Sequence, residues 1–203
     1  MNNDILHIMN HMARSEQGKC MVIQNKKCRV EITTDDTYTV DSADNRHYDV
    51  VLNPCRYQRC NLSKTFSIHI ELADRELSVA LIGSFLADDH RCAVLDRDVL
   101  LVLQDDWITQ IDITDGSIIK RTEVPCLGGN FEIYEVKTGY ILHGETEITM
   151  LDRDLNKKWS FAGKDIFASV TGKVPFEIRE NSICLYDFED NFYQLDFDGK
   201  LIG

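Results

Sequence analysis

The stretch Ile111-Asp112-Ile113-Thr114-Asp115-Gly116 decides how the chain is read, because it returns. Forty residues later stands Leu151-Asp152-Arg153-Asp154-Leu155-Asn156, and 44 residues after that Leu195-Asp196-Phe197-Asp198-Gly199. In each copy an aliphatic residue closes an apolar run, an aspartate follows, and Asp-Gly or an asparagine supplies the chemistry of a tight turn. Working outward, Val99 to Lys120, Gly139 to Trp159 and Ser182 to Ile202 each read as strand, acidic turn, strand, second turn, strand. A further strand precedes each copy. Phe131-Glu132-Ile133 and Phe176-Glu177-Ile178 match one another 45 residues apart, and Cys92 to Leu95 holds the equivalent place in the first copy. Four short antiparallel strands at this period form one blade-like unit, and a single such sheet cannot bury both faces unless neighbours stack on it.

The aliphatic-Asp pair followed by Gly or Asn, with a tryptophan in the next strand at Trp159, resembles the β-propeller repeats of the pyrroloquinoline-quinone-like and WD-repeat type. The resemblance covers residues 91–203 and implies architecture alone. Quinone-binding enzymes of that type have more blades than 203 residues supply. No cofactor-contacting set carries over, so no cofactor is expected. The expected fold is all-β, a partial or small propeller of three to five small antiparallel sheets. Residues 1–90 would cap or complete three four-stranded repeats over 91–203, the whole forming one compact unit. A β-sandwich of short hairpins is the alternative for a chain with this degree of self-similarity.

Ahead of the repeats, Ile5, Ile8, Met9 and Met12 recur at helical spacing before Gly18 and predict a short amphipathic N-terminal helix. Strands are expected at Cys20 to Gln24, Cys28 to Ile32, Thr37 to Val40, Tyr48 to Leu52, Phe66 to Leu72 and Leu77 to Ile82. The absence of a secretory leader or a membrane-length apolar run, with an odd count of seven cysteines, points to reduced thiols and a cytoplasmic location. Cys55 and Cys60 with His47, His90 and Cys92 sketch a zinc site, but the spacing departs from the two-residue knuckle, and no metal is expected.

The 22 Lys and Arg stand against 34 Asp and Glu, a net charge of −12, which argues against phosphate binding and therefore against nucleic acid. Residues 1–99 hold −3 of this and residues 100–203 hold −9. Nucleophile elbows, phosphate-cradling glycine loops and paired-histidine metal motifs are absent, so no catalytic residue is assigned. The carboxylates form a pattern instead. The turn between the second and third strands of each repeat carries Asp105 and Asp106, then Glu145 and Glu147, then Asp187, Glu189 and Asp190, and superimposable repeats bring these turns to one face. Acids of the opposite turns, Asp112, Asp152 and Asp196 among them, read as turn formers. Trp107, Tyr140, Tyr186, Phe188, Phe192 and Tyr193 lie near the acidic turns as candidate anchors, about half of them assigned to the core by strand alternation.

The function expected from this pattern is non-enzymatic. Asp105, Asp106, Trp107, Glu145, Glu147, Asp187, Glu189 and Asp190 would dock a basic protein, in its most concrete form as an acidic immunity protein covering a nuclease toxin. The alternatives are a scaffold subunit of a larger assembly, or a sugar- or metal-binding enzyme that uses the acidic turns.

Overall fold

The computed structural model describes residues 20–61, 63–84 and 91–202, so the helix expected on Ile5, Ile8, Met9 and Met12 lies outside the described residues. Those residues form sixteen strands and no helix, and therefore no helix long and apolar enough to cross a membrane. Two compact units divide them. One comprises the described residues up to Gln104 with Ile108–Arg121, the other Asp105–Trp107 with the residues from Thr122 onward.

In the first unit, β1 (Cys20–Gln24), β2 (Cys28–Thr34), β3 (Val50–Leu52), β4 (Lys64–Leu72) and β5 (Glu76–Gly83) make one sheet in the order β1-β2-β4-β5-β3. Alternation explains β2. Cys28, Val30 and Ile32 point inward, while Arg29 points out and pairs with Glu31 at 3.1 Å and Glu71 at 3.0 Å. Two expectations are corrected here. Thr37 to Val40 is not a strand, because the Asp35 carboxylate accepts the backbone N–H groups of Thr37 and Tyr38 at 3.0 and 3.1 Å and folds the segment into a side-chain-capped turn. The strand expected at Tyr48 to Leu52 is shorter and runs parallel to β5, with Val50 opposite Val79 and Leu52 opposite Leu81. Asp49 fixes that entry by accepting from the Ser78 backbone at 2.7 Å and its hydroxyl at 2.6 Å.

The first repeat is a four-stranded sheet in sequence order: β6 (Ala93–Asp96), β7 (Val99–Gln104), β8 (Trp107–Asp112) and β9 (Ile118–Glu123). Leu100, Val102, Ile111 and Ile113 join Val30, Ile68, Ile70 and Val79 in one apolar core, each such side chain contributing about 1.5–3 kcal/mol on burial.

The second unit holds the next two repeats. β10 (Asn130–Val136), β11 (Gly139–Gly144), β12 (Glu147–Leu151) and β13 (Lys157–Ala162) form a four-stranded antiparallel sheet, and β14 (Phe176–Ile178), β15 (Ile183–Tyr186) and β16 (Phe192–Leu195) a three-stranded one. In the last repeat the fourth strand is reduced to a single bridge between Leu195 and Leu201. β11 is buried along its whole length whereas β13 alternates with solvent, as expected for an inner and an outer strand. Ile141, Met150, Phe176, Leu185 and Leu195 share one core between the two sheets.

The recurring aspartates perform one task in all three repeats. The Asp112 carboxylate accepts from the Thr114 backbone at 2.7 Å, Asp152 from Asp154 and Asn156, both at 2.9 Å, and Asp196 from Asp198 at 2.9 Å and Lys200 at 2.8 Å. Each closes the turn into the outermost strand, so the motif that sets the repeat is a backbone-capping device.

Candidate partner-binding site

All eight candidate residues belong to the second unit. The turns joining β7 to β8, β11 to β12 and β15 to β16 contain or adjoin them, with Trp107 and Glu147 as the first residues of β8 and β12. Two connecting segments bind these turns into a row. Along the first, Val124 N–H donates to the Asp106 carbonyl at 2.7 Å, Cys126 N–H to the Asp106 carboxylate at 3.0 Å, and Asn130 Nδ2 to the Asp105 carbonyl at 3.3 Å. Glu145 N–H then donates to the Gly129 carbonyl at 3.0 Å. Along the second, Phe167 N–H donates to the Glu145 carbonyl and Phe188 N–H to the Ile166 carbonyl, at 2.7 and 2.8 Å. A hydrogen-bonded path thus runs from the Asp105 turn through Glu145 to the Asp187 turn.

Gly128 and Gly129 make that path possible. Their φ angles of 83° and 94° are left-handed, and a methyl group on Gly128 would strike the Glu145 carboxylate, while one on Gly129 would meet Asp105 Oδ1 at 2.7 Å. The two carboxylates therefore border the same glycine pair. His143, buried on β11, holds the second connection in place. Its Nδ1 lies 2.8 Å from Glu132 Oε2, its Nε2 lies 3.4 Å from the Phe167 carbonyl, and its ring stacks on Phe176 at 4.9 Å.

The eight residues do not share one role. Asp105 sits at φ 56°, and burial first, then the neighbouring Asp106 charge, raise its pKa above the ordinary carboxylate value. Glu147 pairs with Lys157 at 3.3 Å. Asp190, at φ 65°, accepts from the Thr171 hydroxyl at 2.9 Å and faces Lys173 at 3.4 Å. Glu189 is exposed, and its carboxylate has no ion pair among the described residues. Trp107 is half-buried.

Asp187 is the exception and corrects its assignment as a contact residue. It is fully buried, and its carboxylate accepts from Glu189 N at 3.1 Å, Asn191 N at 2.9 Å, Asn191 Nδ2 at 3.0 Å and Tyr193 Oη at 2.7 Å. Burial pushes its pKa up, but these hydrogen bonds outweigh burial and the net shift is downward. Asp187 builds the turn that displays Glu189 and Asp190. The signal was legible: Asp187 and Asn191 repeat the spacing of Asp152 and Asn156, the turn former of the preceding sheet. Tyr140 among the candidate anchors is likewise buried, whereas Phe188 and Phe192 are exposed. The loop from Ser169 to Pro175, tied to Asp190 through Thr171 and Lys173, carries no sequence motif.

The second unit contains 17 acidic against 8 basic residues, nine of the twelve net negative charges of the chain. The thiols of Cys28, Cys55, Cys60, Cys92, Cys126 and Cys184 are free, and burial pushes that of Cys92 up to about 12, so it stays protonated.

No family model and no curated protein matches the chain. Solved structures do. The dihydro-heme d1 dehydrogenase NirN in complex with DHE is similar at a TM-score of 0.50 and 12% identity, over 91% of this chain and 43% of that one. Kuenenia stuttgartiensis hydrazine synthase gives 0.48 and 14%, over 82% and 51%, and the Neurospora crassa Pan2 WD40 domain 0.45 and 9%, over 96% and 64%. The chain spans less than two thirds of each. At these identities the likeness concerns fold alone. Together with the repeated small antiparallel sheets it defines an all-β protein of the β-propeller type, without singling out the quinone-like subtype.

Proposed function

We propose that this chain is a non-enzymatic binding module whose second unit docks a basic protein along its acidic edge. The observation that supports the reading is the hydrogen-bonded path from Asp106 to Phe188, which links the three acidic turns within a unit that has a large negative excess. Such a field raises the association rate of a cationic partner and fixes its orientation. In its most specific form the partner is the cationic active site of a nuclease toxin, and the chain is a cytoplasmic immunity protein imitating the polyanion the toxin cleaves. A scaffold subunit would use the same edge, and the identity of the partner separates the two.

The test is co-expression with the protein encoded beside this chain, followed by gel filtration at rising salt. The expected result is a complex that weakens with salt, protects cells from the partner and is lost on reversing Glu145 and Glu189 to lysine. The absence of both a complex and protection would overturn the reading.

A further inference from the structure

Resting on that reading, we propose that the contact is centred on an apolar patch at the third acidic turn, and that its occupant is a basic protein segment carrying an arginine or lysine next to an apolar side chain. Four large apolar residues are exposed on this part of the second unit: Val170 at 73%, Val174 at 65%, Phe188 at 44% and Phe192 at 42%. They belong to two segments tied to each other. The Thr171 hydroxyl donates to Asp190 Oδ1 at 2.9 Å, Lys173 reaches the same carboxylate at 3.4 Å, and Tyr186 N–H donates to the Pro175 carbonyl at 3.0 Å. Val170 and Val174 bracket Thr171 and Lys173, while Phe188 and Phe192 bracket Glu189 and Asp190, so each segment sets polar or charged groups between two apolar side chains.

The occupant follows from what this surface already holds. Lys173 Nζ lies 4.6 Å from the centroid of the Tyr186 ring and 3.4 Å from Asp190, and the Tyr186 ring packs on Phe192 at 5.1 Å. An aromatic face beside a carboxylate is the geometry that binds an ammonium or guanidinium group. The chain's own lysine occupies one such place. Phe188 and Glu189, adjacent in sequence at the same turn, are both exposed and bring a second aromatic ring and a second carboxylate to this surface. Aromatic anchors within a polar rim are also where interfaces concentrate their energy. A purely cationic partner would satisfy the acids and leave four apolar side chains in water; a mixed basic and apolar segment satisfies both.

The test uses the whole chain and three labelled peptides of equal length: alternating arginine and leucine, all arginine, and alternating glutamate and leucine. The expected result is that the arginine-leucine peptide binds best and perturbs backbone amide resonances of residues 169–175 and 186–192. F188S should weaken it by about tenfold or more, with V174S as a second variant on the facing segment. K173A should tighten it severalfold by freeing Tyr186 and Asp190. Melting curves establish that each variant is folded. Equal binding of the all-arginine peptide, unchanged affinity in both F188S and V174S, or perturbations confined to residues 105–106 and 124–130 would overturn this proposal while leaving the acidic-edge reading standing. Failure of every arginine peptide to bind would overturn both.

Discussion

Replacing Asp187 by alanine removes the acceptor around which the third acidic turn is built. The carboxylate is fully buried and takes two backbone N–H groups, the Asn191 amide and the Tyr193 hydroxyl. Hydrogen bonds to a charged group are worth about 1.5–3 kcal/mol each, and donors left buried without a partner cost about 1–3 kcal/mol. These contributions overlap, because Tyr193 also accepts from Lys164 N–H at 3.0 Å and Asn191 can turn toward water. A loss of about 3–5 kcal/mol is therefore expected for D187A, and less, about 1–2 kcal/mol, for D187N, which keeps one acceptor oxygen for the backbone. Urea denaturation at neutral pH measures both. The native carboxylate titrates below its unfolded value, so its stabilisation is fully present above about pH 4 and is lost as pH falls through the native pKa. The gap between wild type and D187A should close over that acid range. A D187A cost below about 1 kcal/mol, or a D187N cost as large as that of D187A, would refute the assignment of Asp187 as a turn former.

The other expected outcomes concern single sites. D105N should raise the melting temperature, because asparagine tolerates φ 56° and removes a partly buried charge set against Asp106; a lowered melting temperature would contradict this. The raised pKa of Asp105 also means that its charge costs stability at neutral pH and is relieved by protonation, so the advantage of D105N should shrink on acidification. G139A should destabilise by about 2 kcal/mol or more, since the Leu151 carbonyl occupies the place of the new methyl and the β11–β12 pairing must open; a neutral effect in denaturation would count against that register. Tyr48 should ionise near pH 12, because burial and its hydrogen bond to Asp35 disfavour the phenolate. Its contribution is then intact below pH 10 and lost as pH climbs toward 12, and a phenolate absorbance titration showing every tyrosine ionising near its ordinary pKa would exclude it.

The repeats were legible because strand alternation and the Asp turn are local. Ile111-Asp112, Leu151-Asp152 and Leu195-Asp196 each state a buried strand end and a capped turn within two residues, and the hydrogen bonds on all three aspartates follow from that. The parallel pairing of β3 with β5 was not legible, because it depends on Asp49 meeting Ser78, 29 residues away. The order of the acidic turns could be read from their position in each repeat. The means of joining them could not, since Gly129, Glu145, Ile166 and Phe188 meet through backbone groups that any sequence possesses. The patch at Val170 and Val174 was not legible for a similar reason: it sits on an irregular loop of small and polar residues that is tied to the third acidic turn only through the contacts of Thr171 and Lys173 with Asp190.

The same carboxylate chemistry serves two ends, and this changes what the charge of −12 means. Asp35, Asp112, Asp152, Asp187 and Asp196 spend their oxygens on backbone N–H groups. Hydrogen bonding lowers the pKa of Asp152, and of Asp35 and Asp187 against the opposing effect of burial. Turn-capping acids of this kind are held in place by the backbone they cap, so they add to the long-range field and not to close pairing. On the proposed function, close pairing would fall to Glu145, Glu189 and, in part, Asp105 and Asp190. A partner drawn in by the many and gripped by the few should show an association rate strongly dependent on salt and a dissociation rate much less so, because the grip also rests on Phe188 and its apolar neighbours. Stopped-flow kinetics of the complex between low and physiological salt separates the two rates, and a dissociation rate rising as steeply as the association rate falls would assign the whole interaction to charge alone.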